Sequence, residues 1–243
     1  MVSIITVTMR SRYMYNIFFN YARQKWKNKR LIIILNNDAL DLHKWREKAK
    51  QFDKVSVYKL PEKYTLGKCL NWAIARVKSE VIAKFDDDDY YAPYYLEESM
   101  LALKEGKASI VGKHTSYMYF EENKTLMIFR QGFEHRFVKR VKGGTLLFNK
   151  SAWRKIKFNE QKIAGSDSRW LLDCYRKGIK TYSISKANYV CIRRKNPKTH
   201  TQKRSTAKYM RRCRFVCITD NYTPYITKNL RLAHLDERGE LRS

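Results

Sequence analysis

The sequence predicts an α/β fold with a mostly parallel central sheet flanked by helices. Three observations carry this. Apolar, β-branched runs and amphipathic stretches alternate at short spacing through the first 110 residues, the rhythm of strand–helix–strand crossovers. Leu31-Ile32-Ile33-Ile34-Leu35 is apolar throughout, as a strand covered on both faces must be. Polar clusters stop two of these runs, Asn36-Asn37-Asp38 and Asp86 to Asp89. Open α/β sheets bind ligands at such strand ends.

In chain order, residues 2–8 read as a buried strand and 13–26 as a helix carrying Tyr, Phe and Trp, which belongs to the core or an interface. Residues 31–35 form the next strand, 39–51 a helix, 55–58 a short strand. Residues 67–78 place apolar side chains at 70, 73, 74 and 77, a helical stripe. Val81 to Phe85 is a strand, 94–104 a helix. Short strands follow at 116–120, 126–129 and 145–148. A helix over 165–177 precedes strands at 180–184 and 189–192. Residues 194–206 are polar and basic and read as a loop. A last amphipathic helix is expected over 206–218, and the final 20 residues read as a tail. The expected divisions are 1–110, a ligand-binding half; 111–193, the other half of the same domain; and 194–243, a basic loop, helix and tail.

Composition narrows the function. Aromatics make up 14% of the 243 residues, enough to build a core and to exclude a disordered chain. The formal net charge is +28, which draws polyanions: nucleic acid, anionic lipid or a phosphorylated substrate. Basic residues thicken from Arg193 to Arg214. Five cysteines at irregular spacing, with no Cys-x-x-Cys, argue against zinc and for a reducing compartment. The N-terminus lacks a basic leader region, and no apolar run approaches 18 residues. The expected location is cytoplasmic, with peripheral contact at the inner membrane face.

Four of the eleven aspartates are consecutive, Asp86 to Asp89, directly after a buried strand. Clustered carboxylates suit a hard cation, Mg²⁺ or Mn²⁺, and Mg²⁺ commonly shares its ligands with substrate phosphates. Phosphate-binding glycine motifs are absent: there is neither GxxxxGK[ST] nor GxGxxG after the first strand. Gly143-Gly144 reads as a plain turn. His114 and His135 read as structural.

Ser3-Ile4-Ile5-Thr6, the strand ending in Asn36-Asn37-Asp38, Leu66-Gly67-Lys68 to Asn71, and Phe85-Asp86-Asp87-Asp88-Asp89-Tyr90-Tyr91-Ala92-Pro93 together resemble family 2 glycosyltransferases of the GT-A fold. Gly165 to Leu171 resembles the family's later acidic motif. The resemblance spans roughly residues 2–190. It implies a Rossmann-like sheet with a small C-terminal acceptor-side region. It also implies an inverting, metal-dependent transferase that moves a sugar from a nucleotide-sugar donor, a UDP-sugar foremost, to a glycan, lipid-linked or protein acceptor. By the same resemblance Asp88 is the direct ligand of Mn²⁺ or Mg²⁺, Asp86 lies at the metal and the donor's ribose or sugar, and Asp87 joins the donor residues. Asp167 matches the general base. Val7, Thr8, Asn36 and Asn37 match the nucleotide-base pocket. Arg10, Lys68 and the Arg193–Arg204 loop are candidates for added positive charge, and His200 for a late metal ligand.

The chain departs from the family pattern in two places. Asn36-Asn37 stands where Asp-Asp is usual, and Ser166-Asp167 where Glu-Asp is common. No Gln-x-x-Arg-Trp of processive members follows, so a single addition is expected. The alternatives are a nucleotidyltransferase using the same aspartates and a basic nucleic-acid- or membrane-binding protein.

Overall fold

A computed structural model describes residues 1–106, 108–161, 164–196 and 205–229. Two sheets carry the fold. The larger has eight strands: β1 (Val2–Thr8), β2 (Lys29–Leu35), β3 (Val55–Lys59), β4 (Val81–Lys84), β6 (Ile110–Gly112), β9 (Arg136–Phe137), β10 (Leu147–Asn149) and β11 (Thr181–Ser183). Their order is β3-β2-β1-β4-β10-β6-β11-β9. The first four run parallel, and β10 enters antiparallel beside β4. Strands from before and after residue 110 therefore share one sheet.

Helices cover both faces, which is why β2 is apolar from Leu31 to Leu35. On one face lie α1 (Met14–Ala22), α2 (Leu42–Ala49) and α4 (Tyr95–Lys104), packed on Ile4, Leu31, Ile33 and Ala83. On the other lie α3 (Leu66–Arg76), α5 (Lys150–Lys155) and α6 (Ser166–Arg176), packed on Ile5, Ile32, Ile34 and Ile82. Successive strand residues point to opposite faces, and the split of odd and even positions between the two cores follows from that. Side-chain caps set the starts of α2 and α3: Asp41 accepts from the Lys44 N–H and Thr65 from the Lys68 N–H.

The smaller sheet has β5 (Tyr90–Tyr91), β7 (Ser116–Phe120), β8 (Thr125–Phe129), β12 (Tyr189–Arg193) and β13 (Cys213–Ile218), in the order β13-β8-β7-β12-β5. β5 directly follows the aspartate block, so the block is the corner between the two sheets.

The C-terminal third departs from expectation. Of the helix expected over 206–218, only Thr206–Met210 is helical (α7). Residues 213–218, expected as one helix with it, form edge strand β13 on β8. Cys213 packs with Met118 and Phe120 on one face of the sheet, while Val216 and Cys217 pack toward Tyr117 and Tyr119 on the other. A β-bulge between Phe215 and Cys217 accompanies this switch. Part of the expected tail is also ordered: α8 (Thr223–Ile226) buries Ile226 completely.

Candidate active site

β4 delivers the chain to the corner, and α1 holds it there. Asn16, Asn20 and Gln24 lie four residues apart on one face of α1 and its C-terminal turn. The Asn16 amide donates to the carbonyls of Asp87 and Asp89, at 2.7 and 3.0 Å. Asn20 donates to the Asp89 carbonyl, and Gln24 to those of Tyr91 and Ala92. The helix expected to be only core or interface thus supplies the donors that fix the aspartate loop. Backbone carbonyls buried at a corner need such partners. The signal available in the sequence was the Asn-x₃-Asn-x₃-Gln spacing within an aromatic helix.

The four aspartates alternate inward and outward. Asp87 is buried, accepts from the Thr8 hydroxyl at 2.6 Å, and takes the Arg10 guanidinium on both oxygens. Burial pushes its carboxyl up to about 6, helped by the charge of Asp88 and opposed by Arg10. Asp89 is also buried, accepting from the Tyr189 hydroxyl and the Ile192 N–H. Burial, then Asp88 and Asp86, push it up to about 7. Asp86 and Asp88 keep more of their side chains open, 37% and 17%, against 5% for Asp87.

The outward carboxylates each meet a cation. Asp88 lies 3.0 Å from Arg10 Nη2, and its carbonyl accepts from Arg194 at 2.8 Å. Asp86 accepts from Lys84, which is 4% exposed. The same ammonium lies 3.2 Å from Asp167 Oδ2. One buried lysine therefore ties the aspartate block to the candidate base, and opposite charge on both sides raises the Lys84 pKa despite its burial. Lys84 did not stand out in the sequence, where a single Lys near the end of an apolar strand looks like a solvated terminus.

Asp167 occupies the first turn of α6, after Gly165 with φ +74°. Burial holds its carboxyl above the usual range, Lys84 opposes this, and Asp86 adds to it. Asp167 Oδ1 is buried and has no hydrogen-bond partner among the described residues.

Gly143-Gly144 is not the plain turn expected. It forms a 3₁₀ turn (Gly143–Thr145) pressed onto the acidic centre. A Cβ on Gly143 would lie 2.3 Å from Asp167 Oδ2, and one on Gly144 would lie 2.5 Å from Asp86 Oδ2. Tyr91 links the two loops: its hydroxyl accepts from the Asp86 N–H at 2.7 Å and donates to the Gly144 carbonyl.

A cavity of about 660 Å³ opens beside this centre, between α1 and α2. Its lining includes Met9, Arg10, Asn37, Ala39 and Lys44. Arg10 and Asn37 thus reach it as expected of donor residues. Thr8, Asn36 and Asp87 do not face it. They are buried, with Thr8 bonded to Asp87 and Asn36 donating to the Pro61 carbonyl. Val7 packs into the core on the far face of the sheet. Lys68 also belongs to that face, on α3, with its ammonium 4.0 Å from the centre of the Tyr64 ring. Of the Arg193–Arg204 loop, Arg193 is buried and lies over Tyr209, whereas Arg194 reaches the aspartates. His200 and Arg204 lie outside the described residues. His114 bonds the Arg140 carbonyl at 2.6 Å, a structural role.

The family model for glycosyl transferase family 2 matches residues 3–162, which include the first strand, the aspartate block and the glycine turn. The chain belongs to glycosyl transferase family 2. Solved structures of similar fold include S. aureus TarS 1–349 in complex with UDP-GlcNAc, at 16% identity and a TM-score of 0.64, covering 80% of this chain and 59% of that one. The mannosyltransferase PcManGT from Pyrobaculum calidifontis, in complex with GDP-Man and Mn²⁺, gives 13% identity and a TM-score of 0.60, covering 79% and 56%. The fold of this family 2 glycosyltransferase is accordingly GT-A. The chain spans about three-fifths of the length of these neighbours. A search of curated proteins gave no match.

Proposed function

We propose that this family 2 enzyme transfers one sugar, with inversion, from a nucleoside diphosphate sugar to a hydroxyl of a glycan, lipid-linked or protein acceptor. A UDP-sugar is the first donor to test. The observation that carries this is the shared lysine. Lys84 brings Asp86, at the end of a parallel strand, together with Asp167, whose Oδ1 is buried and lacks a donor among the described residues. A buried acceptor atom without a partner is costly, and an incoming acceptor hydroxyl would satisfy it. The neighbours crystallised with UDP-GlcNAc and with GDP-Man and Mn²⁺ support a nucleotide-sugar donor.

The donor set fits a hard divalent cation. Asp86 and Asp88 offer carboxylate oxygens on the open side of the block, and the missing Cβ of Gly144 leaves room against Asp86. No three His, Cys, Asp or Glu side chains converge on one point among the described residues. Further ligands would come from substrate phosphates and water, as is usual for Mg²⁺. Asp88 and Asp86 would hold Mn²⁺ or Mg²⁺, which when bound would neutralise the charge developing on the departing diphosphate.

The protein's own residues do the rest. Asp167 takes the proton of the acceptor hydroxyl as its oxygen forms the new bond to the anomeric carbon. The bond from that carbon to the diphosphate oxygen breaks, and the electron pair leaves with the nucleoside diphosphate. Lys84 keeps Asp167 ionised in its buried setting, since an adjacent positive charge favours the carboxylate. Arg10 and Asn37 line the cavity for the nucleoside, where Asn can both donate and accept.

The test is a thermal-shift panel of nucleoside diphosphates and their sugars, with and without Mn²⁺. A ligand at about 100 times its dissociation constant adds about 2.7 kcal/mol of stability. A shift with one diphosphate that grows with Mn²⁺ is the expected result. Shifts only with oligonucleotide or anionic vesicles would defeat the reading. The anomeric configuration of the product, read by NMR, tests inversion.

A further inference from the structure

Asp88, the carboxylate proposed above to take the divalent ion, already holds a cation. Arg10 Nη2 lies 3.0 Å from Asp88 Oδ2 and also bonds Asp87 Oδ1, while Nε bonds Asp87 Oδ2 at 3.1 Å. The guanidinium is fixed from behind by the Tyr13 ring, 4.5 Å from its centre. Asp87 is anchored in turn by the Thr8 hydroxyl. The Arg10–Asp87 pair is therefore a rigid bracket, and the contact to Asp88 is an outward arm of it. Arg10 also lines the cavity proposed for the nucleoside, so the same fork faces the space where a diphosphate would pass.

We propose that Arg10 is a resident cation of the metal position. It holds the Asp88 carboxylate in the free enzyme and releases it when a divalent ion arrives together with a diphosphate, to which the outward arm then turns. The inference rests on the metal reading above. Its physical basis is competition. A guanidinium and a divalent ion cannot both sit against one carboxylate without strong repulsion. A metal alone must break the Arg10–Asp88 ion pair to reach that carboxylate. A diphosphate offers a planar fork a second anionic partner of matching geometry. Metal and nucleotide should then favour each other's binding, and thermodynamic linkage makes that coupling reciprocal, of about 5- to 150-fold when it is of ordinary size.

The experiment measures Mn²⁺ binding by the loss of the free-ion EPR signal, with no turnover involved. It is run on the wild type, Arg10→Met and Asp88→Asn, each alone and with UDP or GDP. The Arg10→Met variant should bind Mn²⁺ alone about tenfold more tightly than wild type, and its gain on adding the nucleotide should be smaller. If Arg10→Met leaves Asp87 unpaired and fails to fold, Arg10→Gln removes the charge while keeping an N–H for Asp87, and the same increase is expected. Equal or weaker binding of Mn²⁺ alone in a folded Arg10 variant overturns the proposal. The two readings fail differently. If Asp88→Asn abolishes Mn²⁺ binding and the Arg10 variants match wild type, only the resident-cation role is lost. If Asp88→Asn binds Mn²⁺ as wild type does, Asp88 is not the ligand and both readings fall.

Discussion

Removing the ammonium of Lys84 would leave Asp86 and Asp167 as neighbours in a buried setting with no charge between them. Like charges and desolvation both favour the protonated acid, so the Asp167 pKa in Lys84→Met must rise. A base works only when ionised. The acid limb of the kcat/KM profile should therefore move to higher pH in this variant, with activity at neutral pH falling by about 10²-fold or more. A limb that stays in place would show that Lys84 does not set the base. Asp167→Asn keeps the shape and removes the proposed base. Calorimetry should find donor affinity near wild type, while transfer falls by about 10²-fold or more. Neither the role of Lys84 nor that of Asn16 and Asn20 was legible in the sequence. Asp167, which Lys84 ties to Asp86, is distant in the chain, and the Asn-x₃-Asn-x₃-Gln spacing marks one helix face without telling which backbone carbonyls it meets. The Asp86–Asp89 block was legible because four adjacent charges at a strand end have no inexpensive structural use.

At the scale of elements, the glycine turn over 143–145 makes the clearest forecast. Neither Gly143 nor Gly144 has positive φ, so alanine suits the backbone at both. Only the missing volume matters. Gly143→Ala should push Asp167 away from Lys84, lowering kcat by about tenfold or more, and lower the melting temperature through overpacking of the buried centre. Wild-type kcat in that variant would mean the turn can retreat. The parallel strands were readable because a strand buried on both faces has one signature, an unbroken apolar run, and β2 has it. β13 was misread. Its Arg and Cys-rich segment fits a helical stripe as well as a strand, and what decides is the free edge of β8, which local pattern does not encode. The glycine turn was misread for a related reason: only the approach of Asp86 and Asp167 from elsewhere gives it meaning.

Over the whole molecule, the net charge of +28 must be separated from the charge at the site. No helix among the described residues is long and apolar enough to cross a membrane. Any general attraction to anionic vesicles or nucleic acid should weaken steeply between about 50 and 200 mM salt. Binding of a nucleoside diphosphate with Mn²⁺ relies on a few partly buried groups, which salt screens less, and should change little. Titrations of both kinds of ligand across that range check this; parallel salt slopes would assign both to the same diffuse surface. The ordered C-terminal stretch has a practical side. Asn188, held at φ +63°, donates its N–H to the Ile226 carbonyl and exchanges side-chain hydrogen bonds with the backbone of Lys228. Ile226 plugs the core formed by Tyr117, Tyr119 and Ile192. Expression of a shortened chain that stops before Thr223 would uncover that core, and Ile226→Ala alone should cost about 2–5 kcal/mol in urea unfolding. Any shortened chain must therefore keep residues through Lys228, or the plug loses its hydrogen bonds to Asn188.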